Sequence, residues 1–123
     1  MNINFKLYNH SIINIETNGN DETEYLNLLT DGGYKFKFET ESDCCSTSFI
    51  SKYKEDFSVL IGKVIKGIKE IDYYEEEEQD CGNYVKVHIY EMTFKFSEDK
   101  FLFQMKNYSN GYYDGWIVSS VGF

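Results

Sequence analysis

Apolar and polar residues alternate most cleanly in YLNLLT and YKFKFE, residues 25–30 and 34–39, which flank Asp31-Gly32-Gly33. A period of two marks a half-buried strand, and a short glycine-bearing loop between two such runs marks a hairpin. A three-residue loop sets Leu28 opposite Phe36 and Leu26 opposite Phe38, and turns Lys35, Lys37 and Glu39 to water. The same reading joins INFKLY to IINIET through Asn9-His10-Ser11, with Leu7 on Ile13 and Phe5 on Ile15.

The C-terminal third alternates as well. YVKVHIYEMTFKF and FLFQMKNY flank residues 97–100, a register that pairs Phe96 with Phe101, Phe94 with Phe103, Met92 with Met105 and Glu91 with Lys106. Val85, Val87 and Ile89 alternate in the opposite phase, which predicts a bulge near Tyr90. SNGYYDGW, residues 109–116, contains Asn110-Gly111, the strongest two-residue hairpin signal. That turn places Met105 opposite Trp116 and Phe103 opposite Val118, so Trp116 is expected in the core and Asp114-Gly115 as a bulge.

Between these regions the period changes. Phe49, Tyr53 and Phe57 recur every four residues, with Ile50, Leu60 and Ile61 near the same side. This predicts a short helix over 47–61, capped by Ser46, Thr47 or Ser48 and stopped at Gly62. KVIKGIKEIDYY reads as a strand with a bulge at Gly67, and EEEEQD as a solvated loop. The expectation is an α+β fold: an antiparallel, meander-like sheet of about seven strands carrying one short helical segment, with residues 1–123 as a single domain.

Composition narrows the function. With 123 residues, 41% of them hydrophobic and 18% aromatic, the chain has enough apolar surface to fold. No apolar run approaches the ~18 residues of a membrane helix. MNINFKLYNH lacks the features of a signal peptide, so a cytoplasmic protein of a bacterial host, with no membrane partner, is expected.

The net charge is −9 and every one of the 12 basic residues is lysine. Residues 1–80 hold 17 acids and 8 lysines, whereas residues 81–123 hold 4 of each. Such a balance disfavours nucleic acid as a direct partner and favours a basic protein surface. The acids concentrate at Glu70, Asp72, Glu75, Glu76, Glu77, Glu78 and Asp80, seven in eleven residues. No glycine interrupts the run, so it is not a calcium loop but an acidic patch fit for a basic partner, or simply a solvated stretch.

The cysteines are Cys44, Cys45 and Cys81, an odd number that argues for free thiols. DCCSTS places Cys44 and Cys45 ahead of the predicted helix, where a thiolate nucleophile would be favoured. A base is needed too, and only His10 and His88 exist; buried thiols beside an Asp or Ser cap are the simpler reading. Cys44, Cys45, Cys81 and His88 have no zinc-type spacing, so no metal or other cofactor is expected.

DCCSTSF, LIGKVI and KNYSNGYYDG together resemble a family of small uncharacterised bacterial and phage proteins. Its members carry a DCCS-like segment, a short helix, an L-I-G-x-x-I strand opening and a SNGYYGG-like loop. The resemblance covers about residues 43–115, with Asp114-Gly115 standing where the family has Gly-Gly. It implies a phage or mobile-element origin, and it suggests that the two motifs form one site. The expected function is a non-enzymatic acidic binding protein that occupies a basic, nucleic-acid-binding surface of a host protein, as a counter-defence inhibitor would. The alternative is a small-ligand domain using Asp43, Cys44, Cys45, Ser46, Asn110, Tyr112 and Tyr113. An enzyme with a cysteine nucleophile ranks third.

Overall fold

The computed structural model describes residues 3–77, 84–110 and 113–123. Among them nine strands follow one another: β1 (Ile12–Thr17), β2 (Glu22–Thr23), β3 (Tyr25–Thr30), β4 (Lys35–Ser42), β5 (Thr47–Lys52), β6 (Val64–Glu77), β7 (Tyr84–Lys95), β8 (Lys100–Ser109) and β9 (Gly115–Gly122). They form two antiparallel sheets, one ordered β1-β3-β4-β9 and the other β2-β5-β8-β7-β6. Leu26, Leu28, Phe36 and Phe38 from the first sheet share one core with Ile50, Ile65, Met92, Phe94, Phe101 and Phe103 from the second. This is a two-sheet β-sandwich, in which the apolar faces of the strands close on each other.

The α+β expectation is overturned. No α-helix occurs among the described residues; Phe5–Leu7 and Phe57–Leu60 are single 3-10 turns. The predicted helix over 47–61 is instead β5, which pairs with β8, followed by the second 3-10 turn. A spacing of four fits a helix, but it is also twice the strand period, so Phe49, Tyr53 and Phe57 alone do not separate the two. The alternation that decides it is Ser48 and Ile50, both buried against Asn107 and Met105 of β8. Phe57 and Leu60 then enter the core from the 3-10 turn, and Gly62 leaves it at φ +87.

The hairpin of β3 and β4 has the predicted register, with Leu28 on Phe36 and Leu26 on Phe38. The N-terminal hairpin does not form. Asn4 accepts a bond from the Lys6 backbone N–H, starting the first 3-10 turn, and β1 pairs with β3. Phe5 is buried against Phe36, while Leu7 and Ile13 are exposed. Lys95 Nζ donates to the Phe5 and Tyr8 carbonyls, each at 3.0 Å, and to the Asn9 side chain, so one cation ties this segment to β7.

In the second sheet the β7–β8 register is displaced by four residues from the predicted one: Met92 faces Phe101, Tyr90 faces Phe103 and His88 faces Met105. An even displacement keeps every side chain on its face, so the phenylalanine face survives with different partners. Glu91 lies opposite Leu102, not Lys106, and is 3.9 Å from Lys69 and 3.8 Å from Lys100. Phe96 is exposed in the connecting loop at φ +64 instead of pairing with Phe101. The opposite phase of Val85, Val87 and Ile89 needs no bulge in β7, because these three are buried on the other face of the sheet beside Tyr108. The irregularities lie in β6, at the predicted Gly67 and again between Glu70 and Asp72.

β9 pairs with β4, placing Trp116 opposite Glu41 and Val118 opposite Glu39. The expected β8–β9 hairpin is therefore absent. Trp116 is not in the core: it is 43% exposed and its Nε1 donates to Glu41 Oε2 at 3.2 Å. Gly111 and Tyr112 lie outside the described residues, so the Asn110-Gly111 turn itself does too.

Candidate functional site

Each of the two sequence motifs lies between a strand of one sheet and a strand of the other, as do the connections of β2 to β1 and β3. Residues 43–46 carry the chain from β4 in the first sheet to β5 in the second. β8 ends at Ser109 in the second sheet, and Asp114 leads into β9 in the first. The crossovers bond to each other: the Asp43 backbone N–H donates to the Asp114 carbonyl at 2.9 Å, and the Asp114 N–H to Asp43 Oδ2 at 3.1 Å. A crossover leaves backbone groups without a ladder partner, and a side-chain carboxylate beside them supplies an acceptor.

Below this joint lies a small polar network. Asn107 Nδ2 donates to Ser46 Oγ at 3.1 Å and Ser48 Oγ at 3.0 Å, and Ser42 Oγ donates to Ser48 Oγ at 2.6 Å. Asn107 is fully buried, and its Oδ1 has no hydrogen-bond partner among the described residues. Gly115 sits against this network, where a larger side chain would meet Ser48 and the Glu41 carbonyl.

His88 is the titratable group at the centre of this end of the structure, and sequence reasoning weighed it only as a base or a zinc ligand. From β7 it offers Nδ1 to Glu70 and Nε2 to Asp114 Oδ1 at 3.0 Å, while Tyr73 packs on its ring at a 4.7 Å centroid distance. One carboxylate comes from Glu70 in β6 and one from Asp114 at the entry to β9, so a single imidazole joins three segments. The carboxylates sit on opposite sides of the ring and do not converge; no cluster that could hold a metal occurs among the described residues. Tyr90, stacked on Phe103, has its pKa pushed up to about 12 by burial first and then by the nearby charges of Glu70 and Asp114. Tyr73 is pushed up as well, by burial and then by its 2.6 Å hydrogen bond to Glu75. Only the pairing register reveals this cluster, since Glu70, His88 and Asp114 are far apart in the chain.

The predicted ligand-binding residues therefore have mixed fates. Asp43, Ser46 and Tyr113 belong to the joint, with Ser109 Oγ donating to the Tyr113 carbonyl at 3.3 Å. Cys44 and Cys45 are exposed, not the buried thiols expected. Asn110 is exposed at the end of β8, and Tyr112 lies outside the described residues. Cavities of about 400, 380, 260 and 200 Å³ open elsewhere, and none of the four is lined by residues of the joint.

The acidic run is not a loop through most of its length. Glu70, Asp72, Glu75, Glu76 and Glu77 are exposed residues of β6, the outermost strand of its sheet, while Glu78, Asp80 and Cys81 lie outside the described residues. Glu75 faces Lys86 and Glu76 faces Val85 across the pair with β7, so the carboxylates project from both faces of the sheet.

Fold and composition thus define an all-β sandwich with an acidic outer strand. The chain belongs to a family described as a domain of unknown function (DUF7448), whose model matches residues 5–118. It is also 36% identical over 81 residues to an uncharacterised protein of Acanthamoeba polyphaga mimivirus; the match spans 63% of this chain and 61% of that protein. No solved structure matches. No helix among the described residues is long and apolar enough to cross a membrane.

Proposed function

We propose that this is a non-enzymatic, acidic binding protein that recognises a basic segment of a host protein along the outer edge of β6. The observation that carries the reading is the edge itself. Among the described residues β6 has β7 as its one strand partner, so its other side carries no paired strand and can accept one. Beside that edge stand five carboxylates, together with Ile71, Tyr73 and Tyr74, all exposed. A lysine- or arginine-rich strand laid there gains backbone bonds, contact with the aromatic rings and carboxylates on both faces. Occupying the basic surface of a nucleic-acid-binding host protein, in the manner of a counter-defence inhibitor, is the role we infer. A phage or mobile-element origin and a place in the host cytoplasm are part of the same proposal; the mimivirus relative bears on a viral origin alone.

Charged residues on an edge strand also deter sheets from joining edge to edge. The two roles are separated by titrating the protein with a lysine-rich strand-forming peptide at low and high salt. Binding that weakens with salt, and that forms more slowly when Glu75, Glu76, Glu77 and Glu78 become glutamine, supports recognition. No binding by the native chain, with self-association of the variant, leaves only edge protection. The meeting of Asp43 with Asp114 favours a second reading, a small-ligand site at the joint. A small molecule retained in native mass spectra and lost in an Asp114→Asn variant would support that reading instead.

A further inference from the structure

The pair Cys44-Cys45 plays no part in the binding reading, yet its geometry is unusual. Residues 43–46 form a tight turn: the Ser46 N–H and its Oγ both donate to the Asp43 carbonyl, at 3.2 and 2.8 Å. Adjacent side chains on a strand point to opposite faces. In this turn Cys45 has φ +68, and the two Sγ atoms meet at 3.1 Å. Positive φ costs a non-glycine residue about 1–2 kcal/mol, so glycine is the residue this position favours on backbone grounds. Cysteines kept for packing are buried, whereas both of these are exposed. A strained backbone that brings two solvent-facing thiols into contact gives up stability without gaining burial.

We propose that Cys44 and Cys45 are a reversible redox site, a surface dithiol that closes to a vicinal disulfide by exchange with low-molecular-weight disulfides. One cysteine, as thiolate, attacks a sulfur of oxidised glutathione. A mixed disulfide forms and the first glutathione leaves as thiolate. The neighbouring cysteine loses its proton and attacks the protein-side sulfur, and the second glutathione leaves with the bonding pair. The two cysteines lose two protons and two electrons; the glutathione disulfide gains both and becomes two thiols. The short Sγ separation favours the second step over release of a stable adduct. Cys44 hydrogen-bonds the Cys45 thiol and raises its pKa, so the pair yields its second proton less readily than its first. Neighbouring Cα atoms lie about 3.8 Å apart, below the ~4.4–6.8 Å usual for a disulfide, so the closed form is strained and easily reduced. Because Asp43 begins this turn and holds the Asp114 backbone, closure acts on the joint between the sheets.

The test uses the full chain carrying Cys81→Ser, incubated with oxidised glutathione and read by intact mass and thiol count. The expected product has lost both thiols, carries no glutathione and is returned to two thiols by dithiothreitol. Cys44→Ser and Cys45→Ser, in the same background, should each accumulate one glutathione. Cys45→Gly, which suits the positive φ, is the folded control and should accumulate one on Cys44. A chain that keeps glutathione on either cysteine, crosslinks to a second chain or stays fully reduced overturns the proposal.

Discussion

Gly115 shows how one residue sets the spacing between the crossovers. A Cβ built there would lie 1.9 Å from Ser48 Oγ, 2.9 Å from the Glu41 carbonyl and 3.0 Å from Ser48 Cβ. The serine hydroxyl can rotate, but the carbonyl and the Cβ are fixed by their strands. Gly115→Ala should therefore destabilise the fold by about 1–3 kcal/mol, the usual cost of overpacking. A urea midpoint equal to that of the parent chain would show that the strands separate freely here. Cys45 predicts the opposite sign. Cys45→Gly relieves the left-handed strain and should stabilise by roughly 1 kcal/mol, less the extra entropy glycine loses on folding. A lower midpoint for this variant would mean that the thiol contact at 3.1 Å contributes more than the strain costs.

Among the elements, what the sequence made legible is what local contact decides. The β3–β4 hairpin was readable because its loop, its alternation and its partner are adjacent in the chain. Gly67 was readable as a bulge because a residue without a side chain interrupts a strand of branched ones. Trp116 was not, because β9 leaves β8 for β4, a strand more than 70 residues earlier, and Asn110-Gly111 carries no mark of that choice. Likewise Asp43 and Asp114 each looked like a turn residue, and their contact arises only once both crossovers lie side by side. For β6 the pairing makes a prediction. Its glutamates are exposed, so a single Glu→Gln change should alter stability by less than about 1 kcal/mol. Replacing Glu75, Glu76, Glu77 and Glu78 together removes like-charge repulsion and should leave the melting temperature equal or higher. The same variant should associate more slowly with a lysine-rich peptide at low salt than the parent does. Equal association rates at low salt would move recognition away from this strand.

For the whole molecule, the sandwich places neutral tyrosines among carboxylates, and this fixes how the fold responds to alkali. Burial and then the charges of Glu70 and Asp114 raise the pKa of Tyr90 to about 12, and partial desolvation followed by neighbouring carboxylates raises those of the more exposed Tyr73 and Tyr74. The unfolded chain loses these protons near pH 10, whereas the folded chain holds them longer. Between those limits the folded state binds more protons than the unfolded one, so stability must fall as pH rises. It is fully present below about pH 10 and is lost as the pH climbs through the raised values. Tyr90 contributes at the sheet centre, where its ring stacks on Phe103 within the core while Glu70 and Asp114 oppose a phenolate. Tyr90→Phe keeps the stacked ring and removes the titrating hydroxyl. Urea midpoints followed from pH 9 to 12 should therefore decline for the parent chain and decline less steeply for Tyr90→Phe. Equal slopes would show that Tyr90 ionises as readily in the folded chain as in the unfolded one, and that the carboxylates around His88 do not reach it.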